Sequence, residues 1–557
     1  MEASMLVSIF NDVIGPVMRG PSSSHCAGAL RIGRIARDLI PGQLRDVLVE
    51  FDRGGSLPTT HDSQGSDMGL FGGLLGWDAA DERLPNSMQT LRSSGVNIRI
   101  ETVDVGDPHP NTYRLTLTSD LAQHSLRAIS TGGGMIEVIA IDGFTVSLFG
   151  DSFETLLWAA DGKGEALCQA VGRFALDART TSVALHTHEG RELVQFKAER
   201  FVTASEQADL AAAGLTLAGA DCVQRLAPVL PVLTRRTTSV PFTTCAEMLA
   251  YDRTQTLDTE DSQAATTGTP LWKLAVAYEC ARSGMTEDEI VEMMVHIVRI
   301  LRRSIATGIA GTSYDDRVLG HQSGEFARLH AAGRLLQAGA LNRIVLYTTA
   351  LMEVKSSMGV IVAMPTAGAC AALPAAVIAM AEEMGLGEED MARAILASGL
   401  IGVFIATAWT FAAEVGGCQA EGGSAAAMAA AALVSMAGGT LPETVAAASM
   451  AMQSMIGLIC DPIANRVEAP CLGKNVMAAA NAVCCANMAI SGFDQVIPFD
   501  EVIETAKRVA KQMPRELRCT SLGGLSITPT SLALQARLQE RLVVARAGCG
   551  SGGCGCG

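Results

Sequence analysis

Three cysteines stand at breaks between apolar runs: Cys418 in Gly416-Gly417-Cys418-Gln419-Ala420-Glu421, Cys460 in Ile459-Cys460-Asp461-Pro462, and Cys471 in Ala469-Pro470-Cys471-Leu472-Gly473-Lys474-Asn475. Glycine and proline interrupt regular backbone, so a side chain and bare amides can face one cavity there. A thiolate in such a place has to be paired, because an isolated buried charge is costly. The separations match no close C-x-x-C pair of a zinc site. Paired with iron instead, three thiolates are one short of the four of an electron-transfer [4Fe–4S] centre. An iron left open in this way is a Lewis acid that can bind and polarise a substrate hydroxyl.

Hydroxyls and amides gather at two further places. Pro21-Ser22-Ser23-Ser24-His25 runs into a helical stretch beginning near Ala27, and a positive helix end with free N–H groups suits a carboxylate. The same serine run also suits a plain N-cap. Pro365-Thr366-Ala367-Gly368 offers another hydroxyl and bare amides between apolar helices, and also reads as a simple helix break. Lys474-Asn475 stands ready to hold a substrate or a sulfide, or to form a solvated turn. Of the fifteen cysteines, Cys168, Cys222, Cys245, Cys280, Cys370, Cys484 and Cys485 lie in apolar runs and read as buried small hydrophobes. Cys549, Cys554 and Cys556 belong to the Gly-rich tail 547–557, flexible by composition.

The elements that must position these residues divide the chain into an α+β multidomain protein. Residues 1–151 read as an α/β domain, with helical periodicity over Ala27–Ala36, strands at Val47–Phe51 and Tyr113–Thr118, and a tight turn at Ser130–Gly134 that lacks the pattern of a nucleotide-binding P-loop. Residues 152–240 give a small βαββ module and a linker: Thr155–Ala159, Gly164–Leu176, Thr181–His186 and Leu193–Lys197, then the proline-punctuated stretch Pro228–Pro241. Residues 241–546 read as an all-α domain. Thr286-Glu287-Asp288-Glu289 opens the helix of Ile290–Ile300 as a capping box, and Gly387-Glu388-Glu389-Asp390 precedes a later Ala-rich helix.

Composition removes several function classes. A net charge of −16 without a Lys/Arg-dense stretch argues against nucleic acid. Ser356–Ala381 and Ala394–Ala413 are uncharged over lengths that span a bilayer, about 20 residues. Pro365, Pro374, Gly359 and Gly368 interrupt the first, and small residues outweigh Leu, Ile and Phe, so both read as buried helices of a bundle with no membrane partner. The odd cysteine count and an N-terminus without a basic and apolar leader point to a reducing, cytoplasmic setting with no disulfide framework.

The motifs Val415-Gly-Gly-Cys-Gln-Ala-Glu, Leu458-Ile-Cys-Asp-Pro, Glu468-Ala-Pro-Cys-Leu-Gly-Lys-Asn and Met364-Pro-Thr-Ala-Gly-Ala-Cys resemble the α-domain motifs of the iron-sulfur-dependent L-serine dehydratases. Gly15-Pro-Val-Met-Arg-Gly-Pro-Ser-Ser-Ser-His25 is similar to the β-domain signature of the same family, in a single-chain β-then-α arrangement. The resemblance implies a [4Fe–4S] cluster on Cys418, Cys460 and Cys471, no pyridoxal phosphate, an ACT-like character for the small module, and a homodimer. It implies deaminating dehydration of L-serine to pyruvate and ammonia, with the substrate held by Ser22, Ser23, Ser24, His25, Ser66, Asp67, Thr366, Ala367, Gly368, Lys474 and Asn475. The base is not identified. Some relatives place a C-terminal cysteine on the open iron, a part that Cys549, Cys554 or Cys556 could take. Three positions depart from the family pattern: Cys26 where Thr commonly follows, Gln64 where His is typical, and Cys519 where Glu is usual. Gln64 cannot carry a proton, and His61 is a substitute three residues earlier. These departures keep two alternatives in view, a lyase for L-cysteine or L-threonine and a non-catalytic amino-acid or cluster sensor.

Overall fold

The computed structural model describes residues 6–173, 182–217, 222–234, 239–257 and 267–548. Sheets occupy the N-terminal part and helices the C-terminal part, an α+β architecture. After the two-residue strand β1 (Val17–Met18), a six-stranded sheet is built from β2 (Leu44–Asp52), β3 (Asn97–Val103), β4 (Thr112–Ser119), β5 (Gln123–Gly132), β6 (Met135–Ile141) and β7 (Phe144–Leu148). Its order is β3-β2-β4-β5-β6-β7, with β2 and β3 parallel and every other pair antiparallel. Alternate residues of β2 and β4, among them Val47, Val49, Leu115 and Leu117, share one apolar core with Ile32 and Ile35 of the helix Gly28–Leu39, as period-two and period-3.6 patterns require. The turn expected at Ser130–Gly134 is the tight connection between β5 and β6.

The small module carries more than a βαββ rhythm. Strand β8 (Phe153–Trp158), the helix Gly164–Gly172, β9 (Ser182–His188) and β10 (Arg191–Ala198) are followed by the helix Ala204–Ala212 and β11 (Val223–Leu226). The antiparallel sheet has the order β11-β8-β10-β9. Leu157, Val194 and Phe196 pack there against Leu167, Val171 and Leu210 of the two helices. The first helix stops at Gly172, short of the expected Leu176, which lies with Thr181 outside the described residues.

In the helical part, Ser424–Met436 lies at the centre and is buried from Ser424 through Val434. Its neighbours are the helices Glu388–Ala408, Leu441–Gln453, Cys471–Ile490 and Ala372–Met384. Alanine loses no rotamer entropy on burial and lets helix axes approach, which accounts for the composition. Glu388–Ala408 is the one helix among the described residues long and apolar enough to cross a membrane, and 78% of its apolar window is buried against the rest of the protein. The Thr286 capping box forms, with Glu289 N donating to Thr286 Oγ1 at 3.3 Å and Thr286 N to Glu289 Oε2 at 2.8 Å, and it opens a helix over Glu287–Ala310. Cys484 departs from the buried expectation because it points outward from the helix Cys471–Ile490; Cys168 and Cys280 are half-buried.

The N-terminal arm crosses between the two parts. The turn Ile9–Val13 lies in the helical core. Ser8 Oγ donates to Glu279 Oε1 and Ile9 N to Glu279 Oε2, both at 2.8 Å. Ile9 and Val13 fit against Gly399 and Gly402, where a Cβ would stand 2.6 and 2.2 Å from their side chains. Strand β1 then pairs antiparallel with β12 (Ile361–Val362), which leads into Met364-Pro365-Thr366.

Candidate active site

A buried cavity opens where these two parts meet. Ser22, Ser24 and Gln64 line it from the N-terminal side; Gly368, Glu414, Glu421, Cys460, Cys471 and Cys519 line it from the helical side. Ser22 caps a tight helical turn, Ser23–Ala27, by accepting from His25 N at 3.3 Å. That turn aims the next side chains inward. Ser24 Oγ donates to Glu414 Oε1 at 3.1 Å, and His25 Nδ1 lies 3.3 Å from the same oxygen and 3.2 Å from Ser22 Oγ. His25 Nε2 reaches Thr60 Oγ1 at 2.9 Å. Burial pushes the His25 pKa down, against the pull of Glu414, so the ring is neutral at pH 7.

The serine run is tied directly to the Thr366-Ala367-Gly368 turn, because Ala367 N donates to Ser23 Oγ at 3.2 Å. Thr366 Oγ1 donates to Glu421 Oε1 at 2.6 Å. Burial pushes the Glu421 carboxyl up to about 7, with the Thr366 hydroxyl pulling the other way. Glu414 Oε2 is buried with no hydrogen-bond partner. A lone buried carboxylate oxygen beside a cavity is expensive unless a ligand completes it.

The three cysteines singled out from the sequence are brought together. Cys418 and Cys460 share a small buried cluster with Cys519, and Cys471 lines the same cavity. Ligand atoms of Cys418, Glu421 and Cys460 lie within 4.8 Å of one another. Hydrogen bonding with the Cys418 and Cys519 thiols, and then burial, raises the Cys460 pKa; burial raises that of Cys471. Lys474 Nζ donates to Ile459 O at 2.7 Å and to Asp461 Oδ1 at 2.8 Å, and stands 3.7 Å from Cys418 Sγ. Burial works against its charge, but Cys418 and Asp461 outweigh it and the ammonium is retained.

Other expected residues have different places. Asn475 makes four hydrogen bonds to backbone, accepting from Ala371 N and Ala372 N and donating to Gly368 O and Cys471 O. Its amide is used up in joining the Thr366–Gly368 turn to the helix that starts at Cys471. Ser66 Oγ meets Tyr113 OH at 2.9 Å, and Asp67 Oδ1 meets His61 Nδ1 at 2.8 Å, behind the cavity wall. His61 thus serves Asp67 rather than standing in for a missing histidine at the cavity. Gln64 does line the cavity, its Nε2 donating to Asn465 Oδ1 at 3.0 Å. Cys26 is buried outside the cavity, its thiol on Arg19 O. Cys549, Cys554 and Cys556 lie outside the described residues. Sequence reasoning missed Glu414, whose signal is an acid inside an apolar run with no basic neighbour. It missed Asn465 and Thr60 as well, which carry no such signal.

Residues 266–526 match the family model described as the serine dehydratase alpha chain. A probable L-serine dehydratase alpha chain of Bacillus subtilis is 35% identical over 263 residues, covering 47% of this chain and 88% of the relative. The chain belongs to the iron-sulfur L-serine dehydratase family. A probable beta chain of the family, also from Bacillus subtilis, is 42% identical over 144 residues, covering 26% of this chain and 64% of the relative. An L-serine dehydratase of Streptomyces coelicolor is 28% identical over 538 residues, covering 94% of this chain and 99% of that protein. Family membership therefore extends along both walls of the cavity.

Proposed function

We propose that this chain is an L-serine ammonia-lyase that converts L-serine to pyruvate and ammonia. The observation that carries this reading is the meeting, at one buried cavity, of a set of cysteine thiols with the unpartnered oxygen of Glu414. The donor set suits a [4Fe–4S] cluster: sulfur ligands are what iron–sulfur clusters take, and thiols whose charged form is disfavoured by burial gain a partner for that charge. Cys418, Cys460 and Cys471 would hold the cluster, with Lys474 offsetting its negative charge. When bound, a cluster with an open iron supplies a Lewis acid for the β-hydroxyl.

The chain's own groups do the rest. The Ser22 hydroxyl and the backbone at Gly368 hold the substrate carboxylate. Glu414, steadied at Oε1 by Ser24 and His25, takes the α-proton at Oε2. Glu421, near neutral pKa and bonded to Thr366, returns a proton to the departing oxygen. Two carboxyls with opposed roles divide the acid and base work. The resulting enamine tautomerises and loses ammonia in water, a sequence that needs no Schiff-base lysine. Residues 1–151 and 241–546 supply the two walls, and residues 152–240 form an ACT-like module.

Anaerobic reconstitution with iron and sulfide, followed by a 2-oxo acid assay on L-serine, L-threonine and L-cysteine, tests the reading. Pyruvate from L-serine, with lower turnover of the other two, is the expected result. A fully loaded cluster without turnover of any of them would overturn it in favour of a sensor.

A further inference from the structure

Cys519 is a fourth thiol at the cavity. It is 5% exposed and lies in one buried cluster with Cys418 and Cys460. It lines the cavity together with Cys460 and Cys471. Its place opposite Cys460 is set by backbone: Cys460 N donates to Leu517 O at 2.9 Å, Cys519 N donates back to Cys460 O at 3.3 Å, and Cys460 and Arg518 form a parallel bridge. Cys519 itself adopts a left-handed φ of 53°, a conformation uncommon for a residue with a Cβ. From the N-terminal wall, Gln64 Nε2 approaches Cys519 Sγ at 3.9 Å. The thiol is therefore approached from both walls, beside Cys418 and Cys460 in the buried cluster and beside Cys460 and Cys471 on the cavity lining.

We propose that Cys519 is the fourth thiolate of the cluster in the substrate-free protein, occupying the iron that Cys418, Cys460 and Cys471 leave open. The inference rests on the cluster reading above and deepens it. On loading, the Cys519 S–H bond breaks, its proton passes to solvent, and an Fe–S bond forms; no electron moves. Soft sulfur is preferred by iron–sulfur clusters over the carboxylate of Glu421, the other donor near Cys418 and Cys460. Cys519 is carried on an irregular segment, residues 518–523, between short 3₁₀ turns. Such a segment can let one ligand go without unwinding a helix, as a substrate hydroxyl would require. The sequence places three further thiols in the tail, so the test must separate them.

The experiment uses the full-length chain, loaded anaerobically with ⁵⁷Fe, as wild type, Cys519→Ser, Cys519→Ala, and a Cys549/Cys554/Cys556→Ser triple variant. Mössbauer spectra without substrate read whether one iron differs from the rest, and mild oxidation followed by EPR and iron analysis reads whether one iron of four is lost to give a three-iron cluster. Wild type and the triple variant are expected to lack the distinct iron and to keep all their iron. Both Cys519 variants are expected to display the distinct iron and to lose it on oxidation. A distinct iron in the wild type, protection that persists in the Cys519 variants, or protection that vanishes only in the triple variant would each overturn the proposal while leaving the cluster intact. A wild type that takes up no cluster would overturn both this inference and the reading on which it rests. A distinct iron in the wild type, or in the triple variant alone, overturns the proposal whether or not the Cys519 variants fold.

Discussion

On the N-terminal wall of the cavity, Ser22, Ser24, His25 and Gln64 each have protein partners, and the neutral His25 ring is bonded at both nitrogens. On the helical wall, one Glu414 oxygen has no partner, Glu421 is held near neutral pKa, and several thiols crowd together with their charged forms disfavoured. The first wall is complete as protein. The second is complete only with something else bound, since buried polar atoms are normally paired. A satisfied wall positions, whereas an unsatisfied wall reacts, and substitutions on the two should fail in different ways.

The largest effect is expected at the thiols. Cys460→Ala should abolish cluster uptake and lower turnover by more than about 1,000-fold, several kcal/mol of charge stabilisation being removed; iron and sulfide analysis beside the pyruvate assay checks this. Glu414→Gln should keep the cluster and lower kcat by about 100- to 10,000-fold, the range of a general base. Retained turnover would move the base elsewhere.

Smaller, and of a different kind, is the effect of Asn475→Ala. It strips the acceptor from Ala371 N and Ala372 N, two buried donors costing about 1–3 kcal/mol each, and should cost about 2–6 kcal/mol of stability in urea unfolding. Smallest is the His61–Asp67 pair. Burial disfavours the imidazolium, but Asp67 outweighs it and raises the pKa above the usual 6.5. A raised pKa stabilises fully below 6.5 and the gain is lost as pH rises through the folded value. Asp67→Asn should therefore destabilise by about 1 kcal/mol near pH ~6 and by less near pH ~9, read from paired urea curves.

Much of the helical wall was legible because glycine and proline mark backbone breaks, and the residues at those breaks, Cys418, Cys460 and Cys471, are of a type with few other uses there. The serine run before the helix Gly28–Leu39 was legible for a similar reason. Cys519 was legible only as a departure from the family pattern and Glu414 not at all, because their meaning depends on which distant segment lies opposite. Cys519 stands next to Cys460 through a parallel bridge that no local pattern announces. Asn475 was picked out by its neighbours, but only its hydrogen bonds reveal that it braces backbone. The last helix and strand of the small module have the right periodicity yet follow a hairpin that already reads as complete.

The N-terminal arm gives the molecule an order in time. Ser8 bonds to Glu279 across a separation of 271 residues, and Ile9 and Val13 fill hollows at Gly399 and Gly402. Ser8, Ile9 and Val13 must wait for residues some 270 to 390 positions later before they find their places. Closing contacts of such long range slows folding. The helical half can finish its core only when the arm arrives, so the same event that seals the interior also brings Ser23 to Ala367 and shapes the cavity. A half-finished chain is thereby kept from presenting a finished site.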